Sequence, residues 1–303
     1  MRTVQLTKSL RPEVFAVFLF IIVCATIGGA VRADTEKNQV KVFVSILPQA
    51  YFVERVAGER ADINVLVGPG DSPATYEPTP KQMTALSDAD VLFTIGVPFE
   101  NSLLSKIRGA APDLHVVSTY GSIDRIPIDG SQHGYHDGHD HGNLDPHIWL
   151  DPKLVKVQAA VISEELTRLD RASEATYREA LDSFNRELDS LYAEVESMFE
   201  STPKRKFYVF HPAFGYFANA FGLEQVAVEI EGREPGGKHL ASLIESAKTD
   251  GVKTLFVQKQ FRSSSVNAIA NAIGAEVVEL DPLAEDYMSS FKYIASKIRE
   301  SFE

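Results

Sequence analysis

Three side chains able to coordinate a metal stand at the ends of structural patterns in this sequence. His211 directly follows Lys206-Phe-Tyr-Val-Phe210, a run with strand character, and Asp281 follows Glu276–Leu280 in the same way. Each is succeeded by a proline, Pro212 and Pro282, which stops the strand and fixes the turn. His147 stands where a polar stretch gives way to Ile148-Trp149-Leu150. The carboxyl ends of strands are where α/β folds place ligands. Singly, each residue passes for an ordinary polar group satisfied by a helix terminus. Three coordinating groups at such positions, in both halves of the chain, favour a shared metal site.

A second group is denser. His133, His136, His139, His141 and His147 put five of the eight histidines within 15 residues, interleaved with Asp137, Asp140 and Asp145. Imidazole suits zinc, copper, nickel and iron, whereas calcium and magnesium want oxygen. A His-rich tract is a compositional metal signal. Interchangeable donors in a solvated loop predict weak, multiple sites, unlike a preorganised site in a cleft. A third segment, Gly68 to Met83, joins a strand to a helix along a path set by Gly and Pro.

Composition narrows the chemistry. The 303 residues are 44% hydrophobic and carry 30 basic against 42 acidic side chains, a net charge of −12. That balance argues against a nucleic-acid footprint. Residues 1–33 read as a secretory signal peptide: Arg2, Lys8 and Arg11 precede an apolar run from Val14 to Ile27, and Val31-Arg-Ala33 offers a cleavage site before Asp34. The run is short for a membrane anchor. Removing it takes four basic residues and one acidic (Arg2, Lys8, Arg11, Arg32; Glu13), leaving 26 against 41, a net −15. It also takes Cys24, the single cysteine. The mature chain then has no disulfide or thiolate ligand, so a metal site must use His, Asp, Glu or water.

The elements that must position these groups alternate. Strand patterns at 39–45, 62–67, 90–96 and 115–117 are separated by helical patterns at 49–57, 79–86 and 101–109. Residues 121–146 break the rhythm, with the His-rich loop at 131–146. Pro152 opens a helix to about Leu169. From Ser173 a stripe of Tyr177, Leu181, Phe184, Leu188, Leu191, Val195, Met198 and Phe199 predicts one amphipathic helix of about 28 residues, roughly 42 Å long, able to serve as a stiff spine. A second α/β series follows: strands at 206–210, 225–230, 254–257 and 276–280, and helices at 212–221, 240–249, 263–273 and 287–302. The expected fold is α/β, with an N-terminal lobe (34–171), a linking helix (172–202) and a C-terminal lobe (203–303), with a ligand cleft between lobes.

The motifs Ser45-Ile-Leu-Pro48, Tyr51-Phe-Val-Glu-Arg-Val-Ala-Gly58, Pro73 to Met83, Asp145-Pro-His-Ile-Trp-Leu-Asp-Pro152, Phe210-His-Pro-Ala-Phe-Gly-Tyr-Phe217 and Leu280-Asp-Pro-Leu-Ala284 together resemble the cluster A-I (cluster 9) solute-binding proteins of bacterial zinc and manganese ABC importers. The resemblance spans nearly all of residues 40–300 and is nearest the periplasmic zinc-uptake receptors. It implies two Rossmann-like lobes, a long connecting helix and one metal in the cleft. Carried over by position, His147, His211 and Asp281 match the family's second, third and fourth ligands. The first is normally a histidine in Pro-His-x-Tyr-Glu-Pro, and here that position is Ala74, in Pro73-Ala-Thr-Tyr-Glu-Pro78. Alanine cannot coordinate. A loop histidine (His133, His136, His139 or His141), a water, or Glu77 could fill the position, or the cleft has lost high affinity. A histidine at 211, where the manganese receptors tend to have Glu, resembles the zinc branch.

The expected function is capture of Zn(II), with Mn(II) as the lesser candidate, for delivery to a membrane permease powered by a separate ATPase. The chain has no GxxxxGK[ST] loop of its own. A zinc hydrolase would use the same kind of ligand set with an open position, but there is no HExxH and no Ser or Cys nucleophile motif. A periplasmic zinc buffer working through the His-rich loop is the remaining alternative. No feature argues for an oligomer, a nucleic-acid partner or a stable membrane anchor, and the expected class is a binding protein rather than an enzyme.

Overall fold

In a computed structural model, residues 39–128, 144–202, 205–229, 236–261 and 264–303 are described; the signal-peptide reading and the loop histidines fall outside them. The N-terminal sheet has strands β1 (Val40–Ile46), β2 (Ala61–Val67), β3 (Val91–Thr94) and β4 (His115–Ser118), in the order β2-β1-β3-β4. The C-terminal sheet has β5 (Lys206–Val209), β6 (Glu224–Ala227), β7 (Thr254–Gln258) and β8 (Glu276–Leu280), in the order β6-β5-β7-β8. Every strand pairing in both is parallel. Parallel strands require crossover connections, here mainly helical, so both faces become covered. The buried runs of β1, β3 and β7 follow from that cover.

The helices are α1 (Leu47–Ala57), α2 (Pro80–Ser87), α3 (Phe99–Ala110), α4 (Pro152–Leu169), α5 (Glu174–Phe199), α6 (Gly215–Ala220), α7 (Gly237–Thr249), α8 (Ser264–Ile273) and α9 (Tyr287–Glu300). α2 opens with a capping box, Thr79 with Gln82, and has Pro80 at the first helical position. α6 starts three residues later than the 212–221 expectation. The amide of Ala213 bonds the carbonyl of His211 at 2.8 Å, a tight turn that delays the helix.

α5 is the long helix, 26 residues, or about 39 Å at 1.5 Å per residue. Its buried stripe is Tyr177, Phe184, Leu188, Leu191, Val195 and Phe199. This stripe packs α5 against α1 and α4 of the N-terminal lobe and α9 of the C-terminal lobe. Each buried aromatic or leucine is worth about 1.5–3 kcal/mol, so the stripe outweighs the surface Arg55–Glu187 ion pair beside it.

One hydrophobic core runs through the N-terminal sheet, the spine and one face of the C-terminal sheet. A smaller core lies on that sheet's other face. Strand alternation divides β5 and the residue after it between them: Phe207 and Val209 belong to the large core, Tyr208 and Phe210 to the small one. Trp149 crosses between lobes. Its indole Nε1 donates to the carbonyl of Pro282 at 2.7 Å, and the Tyr287 hydroxyl donates to the carbonyl of Trp149 at 2.9 Å.

Candidate metal centre

His147 caps a 3-10 turn, Ile148–Leu150, whose three side chains are buried. The lobe-crossing bonds of Trp149 hold that turn, so His147 reaches the cleft from fixed backbone. His211 sits two residues past the end of β5. The β5–β6 pairing continues beyond the strands, with Val228 N bonded to Val209 O and Glu229 N to Phe210 O at 2.9 Å each. That register lays Glu229 beside His211.

The two imidazoles meet across the cleft with ring centres 5.5 Å apart and planes 76° apart. Two imidazoles on one tetrahedral zinc, with Zn–N near 2.0 Å, place ring centres roughly 5 Å apart. The geometry is therefore close to that of a shared ion.

Each histidine is backed by a buried carboxylate. Asp145 is 0% exposed; its Oδ1 lies 2.6 Å from His147 Nδ1 and accepts the His147 backbone N–H at 2.8 Å. Glu229 Oε2 lies 2.8 Å from His211 Nδ1. An Nδ1–H donated to a carboxylate fixes the tautomer and makes Nε2 the basic nitrogen, the arrangement common behind metal-binding histidines. Gly215 makes room for this: a Cβ there would come within 2.7 Å of Asp145 Oδ2. Burial pushes the His211 pKa below the usual imidazole value, and Glu229 opposes the shift only in part. A neutral imidazole is the form that can bind a metal.

Asp281 is placed differently. It follows β8, and the register Gln258↔Leu280 sets Lys259 next to it. Its Oδ2 is 3.2 Å from Lys259 Nζ, while Oδ1 accepts the Leu283 N–H at 3.0 Å. Among the described residues, no three His, Cys, Asp or Glu groups converge closely enough to hold a metal. The structure thus brings together two of the three expected ligands and engages the third elsewhere.

The histidines line a cavity of about 540 Å³, walled also by Ala74, Arg125, Trp149 and Gln258. Ala74 is exposed on that wall. Glu77 is exposed and does not reach it. His133, His136, His139 and His141 lie outside the described residues.

Sequence reading missed several supports. Glu229 stands as a lone acid in Val226-Ala-Val-Glu-Ile, a signal that a buried charge has a task. Gln258 donates to the His211 carbonyl at 3.0 Å. Glu100, 2% exposed, accepts from the Ile95 and Gly96 amides at 2.8 and 2.7 Å and from Ser45 Oγ, fixing the Gly96–Pro98 stretch of the cavity wall. Burial raises its pKa.

The model of the family "Zinc-uptake complex component A periplasmic" matches residues 42–301. The high-affinity zinc uptake system protein ZnuA of Bacillus subtilis is 26% identical over 275 residues, covering 88% of this chain and 86% of that one. The manganese-binding lipoprotein MntA of Halalkalibacterium halodurans is 26% identical over 268 residues, covering 87% and 86%. A crystal structure of ZnuA superposes with a TM-score of 0.81 at 38% identity, covering 88% of this chain and all of that one. With the match running from β1 to the end of α9, the chain belongs to the family of periplasmic zinc-uptake component A proteins.

Proposed function

We propose that this chain is exported by its 1–33 segment and works outside the cytoplasmic membrane as a receptor. It captures Zn(II) in the cleft and hands it to the permease of an ABC importer. No described helix is long and apolar enough to cross a membrane. The observation that carries the reading is the pair of imidazoles 5.5 Å apart, each backed by a buried carboxylate. His147 and His211 are the primary ligands. Asp281 joins them by exchanging Lys259 for the metal. The fourth position, opposite Ala74, is left to a group from outside the three. Two imidazoles favour zinc over manganese, which prefers oxygen donors.

The receptor performs no chemical step. Its contribution is to hold the metal until the permease accepts it. The histidines of the 131–146 loop serve as accessory collectors. Competition against a metal chelator tests the reading: one Zn(II) retained per chain, with Mn(II) displaced by it, is expected. Retention of Mn(II) in preference to Zn(II), or of neither, overturns it.

A further inference from the structure

The cavity holding His147 and His211 is larger than a bare cation needs. A zinc ion sits about 2.0–2.3 Å from its donors, whereas the volume here, about 540 Å³, lies within the roughly 300–1,000 Å³ of small-molecule pockets. Ala74 widens it where a ligating side chain would otherwise project.

The wall also carries a charge of the wrong sign for a bare cation. Arg125 lines the same cavity as the two histidines. Its guanidinium lies 4.7 Å over the Tyr120 ring and is 3.5 Å from the Gly96 carbonyl. A Cβ at Gly96 would stand 2.6 Å from Arg125 Nη1, so glycine admits the side chain there. Among the described residues Arg125 forms no ion pair with a carboxylate. Even with Asp145 and Glu229 beside the histidines, an arginine on a cation's cavity wall with no described carboxylate in ion-pair reach is a ready partner for a negative group that the cargo brings with it. A planar guanidinium is well shaped to take a carboxylate through two parallel bonds. Gln258, also on the wall, is 1% exposed, and its buried Oε1 has no donor partner among the described residues. A small turn of the carboxamide would offer that oxygen to an O–H or N–H in the cavity.

We infer that the cavity takes its metal together with a small chelating dicarboxylate bearing an α-hydroxyl or α-amino group. One carboxylate and the α-group chelate the metal on the side left open by Ala74, bringing it to five donors. The second carboxylate pairs with Arg125, and the α-group's hydrogen faces Gln258. The inference rests on metal capture by His147, His211 and Asp281.

Equilibrium dialysis of the protein with radiolabelled L-malate or L-aspartate, with and without Zn(II), tests it. The two probes distinguish hydroxy from amino acids, and succinate, which lacks the α-group, is the control. Retention of about one malate or aspartate per chain is expected only when zinc is present, with succinate at least tenfold weaker. Arg125→Gln should lower retention at least tenfold, and Arg125→Lys should restore part of it. Ala74→His should also displace the acid, because imidazole takes its coordination position. One zinc bound with no acid retained overturns the inference and leaves the zinc receptor standing, as does equal retention of succinate or by Arg125→Gln. Failure to bind zinc at all removes both.

Discussion

The two lobes share a strand order but secure their contributions to the cleft differently. Both sheets run 2-1-3-4 in their own numbering, entirely parallel. The N-terminal lobe presents one proposed ligand, His147, from a 3-10 turn whose side chains are embedded in the large core and whose backing carboxylate is fully buried. The C-terminal lobe presents His211 and Asp281 from strand ends and rests part of its sheet on the smaller core. Of these two, His211 is backed by buried Glu229, whereas Asp281 accepts the Leu283 amide and pairs with Lys259, whose side chain is 52% exposed. Common topology therefore yields two imidazoles backed by buried carboxylates and one carboxylate paired with a half-exposed lysine. A receptor that must release its cargo has use for both kinds.

Several substitutions would break or sharpen that contrast. His211→Ala should have the largest effect, a loss of zinc affinity of at least about 100-fold, beyond the range usual for groups that only orient a ligand. A loss under tenfold by chelator competition would show that the cleft is not the site. Glu229→Gln and Asp145→Asn should each cost about 10–100-fold, because each removes the charge that fixes a tautomer. If only one does so, the lobes do not grip their histidines alike. Trp149→Phe removes the indole bond to Pro282 and should destabilise the fold by about 1–3 kcal/mol, mostly through the orphaned carbonyl; urea unfolding would read it.

Acid should weaken the metal-free fold through His211. Its pKa is lowered in the folded state, so the unfolded chain takes up the proton first. This stability is fully present above the unfolded value of about 6.5 and is lost as pH falls toward the folded one. His211→Ala should flatten that slope in thermal unfolding measured from pH 7 to pH 5. The smallest effect belongs to Lys259→Gln. An exposed pair is worth about 0.2–1 kcal/mol, so freeing Asp281 should raise zinc affinity by no more than about fivefold. Weaker binding would mean that Lys259 positions Asp281 rather than competing for it.

Much of this was legible in the residues. Strand ends marked by His211-Pro212 and Asp281-Pro282 were readable because proline halts a ladder wherever it stands. The spine was readable because eight apolar residues recur at helical spacing, and its 26 residues, Glu174–Phe199, come close to the expected 28, with Ser173 taken into the preceding 3-10 segment and the far end stopping at Phe199. The partners of the ligands were not legible. Glu229 beside His211 and Lys259 beside Asp281 both follow from strand register between segments 18 and 22 residues apart. Register is set by sheet packing, which a single sequence does not display. Asp145 was visible as part of a motif, but its burial and the close approach of Gly215 belong to the folded chain alone.

The most direct test of the cleft as the metal site uses chelator competition on residues 34–303. It compares the chain lacking 133–141 with the His147→Ala/His211→Ala double variant. One tightly held zinc should survive removal of the loop segment and disappear with the two histidines. Tight zinc that persists in the double variant, or that vanishes with the loop, would contradict the account.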